Sequence, residues 1–282
     1  MHIMKKSSKR KVHWERLLVL ILPVFLILGL LGFGVYKILS YPTEEILQVT
    51  KPEHIAQETF DQLKDKALEN REYRSIFLHL DQYSQDILEF LLKDEDRLSF
   101  VEAYPQKEKY TNGPGTLSES LDTIPKLLQW DLRWGYIPYG ENDIYLTGCA
   151  PTCLSMVFSY LLQDASLTPD ALASYSSQQG FYVNGAGTDW QFLTDAAQHY
   201  GVQVERAQVS LQDMQARLEN QQILVCSMLP GDFTQVGHFI LVTGMEDGEF
   251  TVIDPNSKKH TNQTWDPDTL LSQMQAVWSY SV

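Results

Sequence analysis

The amino-acid sequence predicts an α+β fold, preceded by a transmembrane helix and a helical region. Three observations predict it. Residues 17–36 contain no charged side chain. Apolar residues recur at helical spacing through much of 43–105, most clearly over 74–92. Short apolar runs bounded by turn residues gather in the last third of the chain, and helices followed by sheet read as α+β.

The N-terminus comes first. Twenty residues of helix span about 30 Å, the thickness of a bilayer core. Pro23, Gly29, Gly32 and Gly34 interrupt the apolar run but are tolerated in membrane helices. Lys5, Lys6, Lys9, Arg10, Lys11 and Arg16 precede the run and predict a cytoplasmic N-terminus with the bulk of the chain outside. The exit over 37–42 lacks a small-residue cleavage site, so the segment at 17–39 reads as an uncleaved single-pass anchor behind a basic tail at 1–16.

Charge separates the two parts. Residues 1–40 hold seven bases and one acid; taken from chain totals of 22 and 36, they leave 15 bases against 35 acids. A surface that acidic repels phosphate backbones and excludes a nucleic-acid partner. It fits an extracellular domain kept dispersed by its own charge.

Residues 44–70 read as a polar helix with a sparse apolar stripe, 74–92 as a stronger one, and 94–102 as a short one. Pro105, Asn112, Gly113, Pro114 and Gly115 punctuate 105–118, which sets a boundary between a helical stalk or accessory region at 40–118 and a domain at 119–282. Within that domain 147–163 reads as a turn running into a helix. Residues 189–201 and 211–220 read as helices, and 222–228, 239–244 and 250–253 as strands.

The chemistry centres on Gly148-Cys149-Ala150-Pro151-Thr152-Cys153. A glycine turn delivers Cys149, and a proline beside the first helical positions opens an apolar helix. That puts the Cys149 sulfur at a helix N-terminus, where free N–H groups and the helix dipole favour the thiolate. Cys153, one turn further in, reads as structural. A disulfide or metal pair between the two is the weaker alternative, because no second Cys or His cluster stands at ligand spacing. Three cysteines, with Cys226 the third, do not make a disulfide framework. No cofactor is called for.

A cysteine nucleophile needs a base. His238, in Val236-Gly237-His238-Phe239, opens a buried strand and is the best placed. His199 lies at a helix end, His260 in a loop, and His54 and His79 in the helical region. Asp254, closing a strand before Pro255, could orient the imidazole, with Asn256 ranked second. The backbone N–H of Cys149 and the side-chain amide of Gln129 are candidate oxyanion donors. Trp130, Trp134, Tyr182 and Trp190 are candidates for cleft walls or core.

Gln129-Trp130-Asp131, Gly148-Cys149-Ala150-Pro151-Thr152, Gly237-His238-Phe239 and Asp254-Pro255 together resemble the C39-like peptidases of the papain-like clan, over about 119–282. Gly187-Thr188-Asp189-Trp190 and Pro230-Gly231-Asp232-Phe233 agree with the resemblance. The stretch from Phe100 to Pro105 is similar to the helical part of membrane-anchored Gram-positive versions. The resemblance implies a papain-like cysteine peptidase domain, in which the helix carrying the nucleophile packs on an antiparallel sheet. In it Cys149 attacks an amide carbonyl, His238 moves protons, Asp254 orients His238 and Gln129 lines the oxyanion hole. Ala150 departs from the family's usual glycine. Better-known relatives sit on peptide-exporting ABC transporters and clip double-glycine leaders. This sequence has no P-loop, so that substrate does not carry over. The expected partner is a peptide or protein substrate at the cell surface. A cell-wall peptide hydrolase or transpeptidase, and a non-catalytic tethered module, are the competing readings.

Overall fold

The computed structural model describes residues 44–185 and 187–282. The expected anchor and basic tail lie outside the described residues. Among the described residues no helix is long and apolar enough to cross a membrane. The chain divides into two compact units, one ending at Gln85 and one beginning at Asp86.

In the first unit a helical turn at 44–48 leads to α1 (Gln57–Glu69) and α2 (Arg74–Phe77), with 3-10 turns at Arg71–Tyr73 and Leu80–Gln82. Ile46, Ile55, Leu63, Ile76 and Phe77 are fully buried, and the rings of Phe60 and Phe77 meet at 5.1 Å. The helix expected over 44–70 is broken at 49–56, where Pro52 offers no N–H and restricts the residue before it. The helix expected over 74–92 is also broken. His79 and Tyr83 leave helical backbone (φ −130° and −116°), and the His79 Nδ1–H caps the Ser75 carbonyl at 2.8 Å. Apolar spacing reported which side chains are buried. It did not report that two turns intervene.

The second unit begins within α3 (Gln85–Lys93) and continues with a 3-10 turn at Glu95–Arg97, α4 (Leu98–Glu102) and a further 3-10 segment at Tyr104–Tyr110. Phe100 is the hub of an aromatic cluster: it stacks on Tyr136 at 4.2 Å and meets Trp130 and Tyr145 edge-on or tilted. The helices over 86–110 therefore share a core with the chain beyond 119.

The rest of the unit runs through a small hairpin, β1 (Pro138–Tyr139) and β2 (Asn142–Asp143), then α5 (Ile144–Thr147), α6 (Cys149–Leu162) and α7 (Pro169–Gln178). The ribbon of β3 (Tyr182–Val183) and β4 (Gly187–Thr188) precedes α8 (Gln191–Tyr200), β5 (Gln203–Ala207), α9 (Leu211–Glu219), β6 (Ile223–Met228), β7 (His238–Glu246) and β8 (Glu249–Ile253). Then come α10 (Lys258–Thr261), β9 (Thr264–Trp265), α11 (Pro267–Ser272) and β10 (Met274–Ser281).

Six strands form one antiparallel sheet in the order β5-β10-β6-β7-β8-β9. β6 is buried on both faces. Ile223 and Val225 join the core with α6, α7 and α8, while Leu224 and Cys226 join Met214 of α9 and Leu270 of α11. That alternation follows from the two-residue period of a strand. The mixed helix and antiparallel-sheet architecture is the one expected. Three strands were not. β5 and β9 are short or exposed, and β10 carries Ser279, whose buried hydroxyl is satisfied by Arg217 Nη1 (2.7 Å) and Gln222 Oε1 (3.0 Å).

Candidate active site

Cys149 is the first residue of α6, and Gly148 precedes it. The glycine is required by space, since its φ of −86° suits any residue. A Cβ there would lie 2.5 Å from Ile144 Cγ2 and 2.6 Å from the Ile144 carbonyl oxygen, to which the Gly148 N–H donates at 2.8 Å. The end of α5 and the start of α6 thus abut at this residue. As N1 of α6, Cys149 has an N–H without an acceptor inside that helix. Its side chain is half-buried and its thiol is free. Ala150 packs into the core.

Cys153 is fully buried four residues on, and its Sγ–H donates to the Phe239 carbonyl at 3.4 Å. Residues four apart share a helix face. The bond that ties Cys153 to Phe239 therefore brings Cys149 to the neighbouring residue, His238. Burial pushes the Cys153 and Cys226 thiols well up, which keeps both protonated and inert.

His238 opens β7 and Asp254 follows the last residue of β8. The two strands join through Asp247 and Gly248, both at positive φ (50° and 87°), as a two-residue hairpin of mirror-image type requires. The hairpin brings residues 16 apart to the same end of the sheet, where His238 Nε2 and Asp254 Oδ1 are 2.7 Å apart. Nδ1 is left free of Asp254, and Cys149 is the ring's other electrostatic neighbour. Burial opposes the imidazolium, but the Asp254 carboxylate and Cys149 outweigh it and raise His238 to about 10. Burial likewise works against the Asp254 carboxylate, and its two histidines and the Asn256 N–H overcome that, holding it well below the usual range.

The second histidine is His260, which the sequence placed in a loop. It lies in α10, its Nδ1–H donating to Asp254 Oδ2 at 2.7 Å. Its ring is held edge-on by Phe233 and Trp265. Asn256, the alternative orienting residue, does not face His238. Its N–H donates to Asp254 Oδ1 at 2.8 Å, and its side-chain oxygen accepts from Arg97 Nη2 at 3.0 Å.

Gln129 is buried, and its backbone N–H donates to the Pro255 carbonyl at 2.7 Å. Its Nε2 donates to the Tyr145 carbonyl at 2.7 Å; a carbonyl accepts only, so the amide nitrogen must face it. One N–H of that amide is left over, and Oε1 is buried without a partner.

Gln129, Cys149, His238 and Asp254 all line one open cavity of about 730 Å³, together with Arg97 and His260. Arg97 escaped sequence reading. It is buried, lies over the Phe90 ring at 3.9 Å, and donates to the Phe90 carbonyl (2.9 Å) and the Asn256 carbonyl (3.1 Å). Burial lowers its pKa to about 10 against the pull of Asp94 and Asp254. Trp130 Nε1 also donates to the Asn256 carbonyl, at 3.1 Å. Of the other aromatic candidates, Trp134 is core, Tyr182 packs on Tyr139 at 5.0 Å, and Trp190 is partly exposed on the far side of Cys149.

Solved structures similar to the chain include the two that follow. One is a Bacillus anthracis protein assigned as a C39-like peptidase, at 12% identity over 57% of this chain and 95% of that one, with a TM-score of 0.39. The other is the peptidase domain of Streptococcus ComA, a bifunctional ABC transporter involved in quorum sensing, at 15% identity over 48% of this chain and 92% of that one, with a TM-score of 0.38. No curated protein matches. Residues 122–282, more than half of the chain, match the Peptidase_C39 like family, and the protein belongs to that family.

Proposed function

We propose that the chain is a cysteine peptidase anchored in the membrane by 17–39, with its catalytic domain outside the cell and a Cys149-His238-Asp254 triad cutting peptide bonds. Family membership suggests cysteine peptidase activity. The observation that carries the triad is the convergence of three separately positioned groups on one cavity. These are a thiol at a helix N-terminus, an imidazole at a strand start, and a carboxylate 2.7 Å from that imidazole. The basic flank and the uncharged run of 17–36 support the anchor and its orientation. The tail at 1–16, the helical region at 40–118 and the peptidase domain at 119–282 complete the proposed organisation.

In this reading the Cys149 thiolate adds to the scissile carbonyl carbon. The oxygen becomes an oxyanion received by the Cys149 N–H and the spare N–H of Gln129. His238 gives its Nδ1 proton to the departing amine as the C–N bond breaks, leaving a thioester. Water then attacks the thioester, passes a proton to His238, and the Cys149 sulfur leaves with the bond's electron pair. Asp254 holds the imidazole with Nε2–H toward itself throughout.

Alkylation by iodoacetamide, followed on each cysteine by mass spectrometry from about pH 4 to 9 on the full chain in detergent, tests this. Cys149 alone is expected to react fast below neutral pH, and to lose that advantage in His238→Ala. Equal reactivity at Cys149 and Cys153 would remove the catalytic assignment.

A further inference from the structure

We propose that the cleft beside Cys149 has an apolar half that receives a bulky hydrophobic side chain adjacent to the scissile bond. The substrate is then a peptide bearing a residue such as leucine, phenylalanine or methionine there. This rests on the catalytic reading above and adds a substrate class to it.

A second cavity, of about 450 Å³, opens from Cys149 and His238 away from Asp254. Leu146, Trp190, Met228, Leu229, Val236 and Phe239 line it, and among the described residues no Asp, Glu, Lys or Arg does. Across the catalytic pair, Lys93, Asp94, Arg97, Asp232 and Lys259 line the first cavity. The charged side chains thus stand on one side of Cys149, while Leu146 and Val236 line both cavities and Asn142, Thr147, Thr188, Ser227 and Gln275 are the neutral polar residues of the second.

Exposure points the same way. A lone exposed apolar side chain is ordinary and explains nothing. Here Leu146 (37%), Trp190 (37%), Leu229 (38%) and Val236 (79%) are all exposed on one pocket, above a floor of buried Met228 and Phe239. Apolar surface left in water at one place marks a binding site.

The wall is also fixed in advance. The Trp190 ring stands edge-on to Trp278 at 5.3 Å and 83°. The Arg206 guanidinium lies 3.9 Å from the Trp278 centroid and 5.1 Å from that of Trp190. A pre-ordered wall spares a ligand the entropy of arranging it. Because the pocket shares Cys149 and His238, its occupant is the part of the substrate next to the bond being cut. A lipid chain or a partner surface would block the thiol.

Acyl-aminoacyl chloromethyl ketones test the proposal. Their carbon is attacked by the Cys149 thiolate, chloride leaves, and the adduct is read by mass spectrometry on the full chain. Probes carrying leucine, glycine or aspartate side chains are compared, with iodoacetamide as a probe that has none. The leucine probe is expected to label Cys149 at least about tenfold faster than the glycine probe, and aspartate more slowly still. Val236→Asp, at an exposed position that folding tolerates, should bring the leucine-to-glycine rate ratio toward one. If iodoacetamide singles out Cys149 but all three ketones react alike, or aspartate leads, the apolar subsite is overturned and the catalytic reading stands. If iodoacetamide does not single out Cys149, the catalytic reading falls and the subsite with it.

Discussion

Asp254 is 1% exposed, yet both of its oxygens are occupied by ring nitrogens, His238 on Oδ1 and His260 on Oδ2, each at 2.7 Å. A carboxylate bonded on one oxygen only could rotate about its last bond, and the imidazole would follow. Bonded on both, it is a fixed strut behind His238. His260→Phe keeps a ring between Phe233 and Trp265 but leaves Oδ2 without its donor. A hydrogen bond to a charged group contributes about 1.5–3 kcal/mol, so the alkylation rate of Cys149 below neutral pH is expected to fall roughly tenfold or more. His260→Asn supplies an amide N–H near the lost Nδ1–H and should recover much of the rate, which a general loss of packing would not allow. His260 was passed over in the sequence because two lysines before it resemble loop, and its value comes from a carboxylate six residues earlier. Cys149 and His238 stood out as candidates because their local settings, a glycine-proline helix start and a glycine before a strand, lie in a few adjacent residues.

At the scale of elements, three ends of secondary structure that carry the proposed triad meet: the N-terminus of α6, the start of β7 and the end of β8. The Asp-Gly hairpin joins the two strands, and the Cys153 bond to Phe239 sets the helix against them. The turn over 254–256 is then clamped from outside the family match by Arg97, 159 residues away in sequence. Arg97→Met would leave the Phe90 carbonyl and the Asn256 side-chain oxygen without this donor. Each buried group so orphaned costs about 1–3 kcal/mol. The urea midpoint should drop by the equivalent of at least about 2 kcal/mol, and Cys149 alkylation should slow as the Asp254 turn loosens. An unchanged midpoint would show that the helices over 86–110 do not support the site. The helices themselves were visible from apolar spacing. Their breaks at 49–56 and at His79 were not, because spacing records a buried face and is silent about chain turns between its members.

For the molecule as a whole, the buried His238–Asp254 pair ties stability to pH. His238 is raised to about 10 from an ordinary 6.5. Its contribution is therefore full below about pH 6.5 and is lost as pH rises toward 10. Asp254 is lowered, so its share is full above about pH 4 and is lost on further acidification. The wild-type urea midpoint is expected to fall between about pH 7 and 10 more steeply than that of His238→Phe, which has no such proton to lose. Parallel curves would show that the pair does not titrate as a buried ion pair.

Composition, periodicity and a few motifs were enough for the fold class, the central strands β6, β7 and β8, and the choice of Cys149, His238 and Asp254 as candidates, while Gln129 came from the family resemblance. These features are local: a strand buried on both faces is mostly apolar, and a cysteine at a helix start is marked by the glycine and proline beside it. Other features exist only through partners distant in the chain. β10 is a central strand because β5 and β6 flank it, His260 and Arg97 act because a turn presents Asp254 and Asn256 to them, and the apolar half of the cleft is assembled from five separate segments. A side chain's burial and hydrogen bonds depend on which surface folding brings against it. No stretch of sequence around that side chain encodes the surface it will meet.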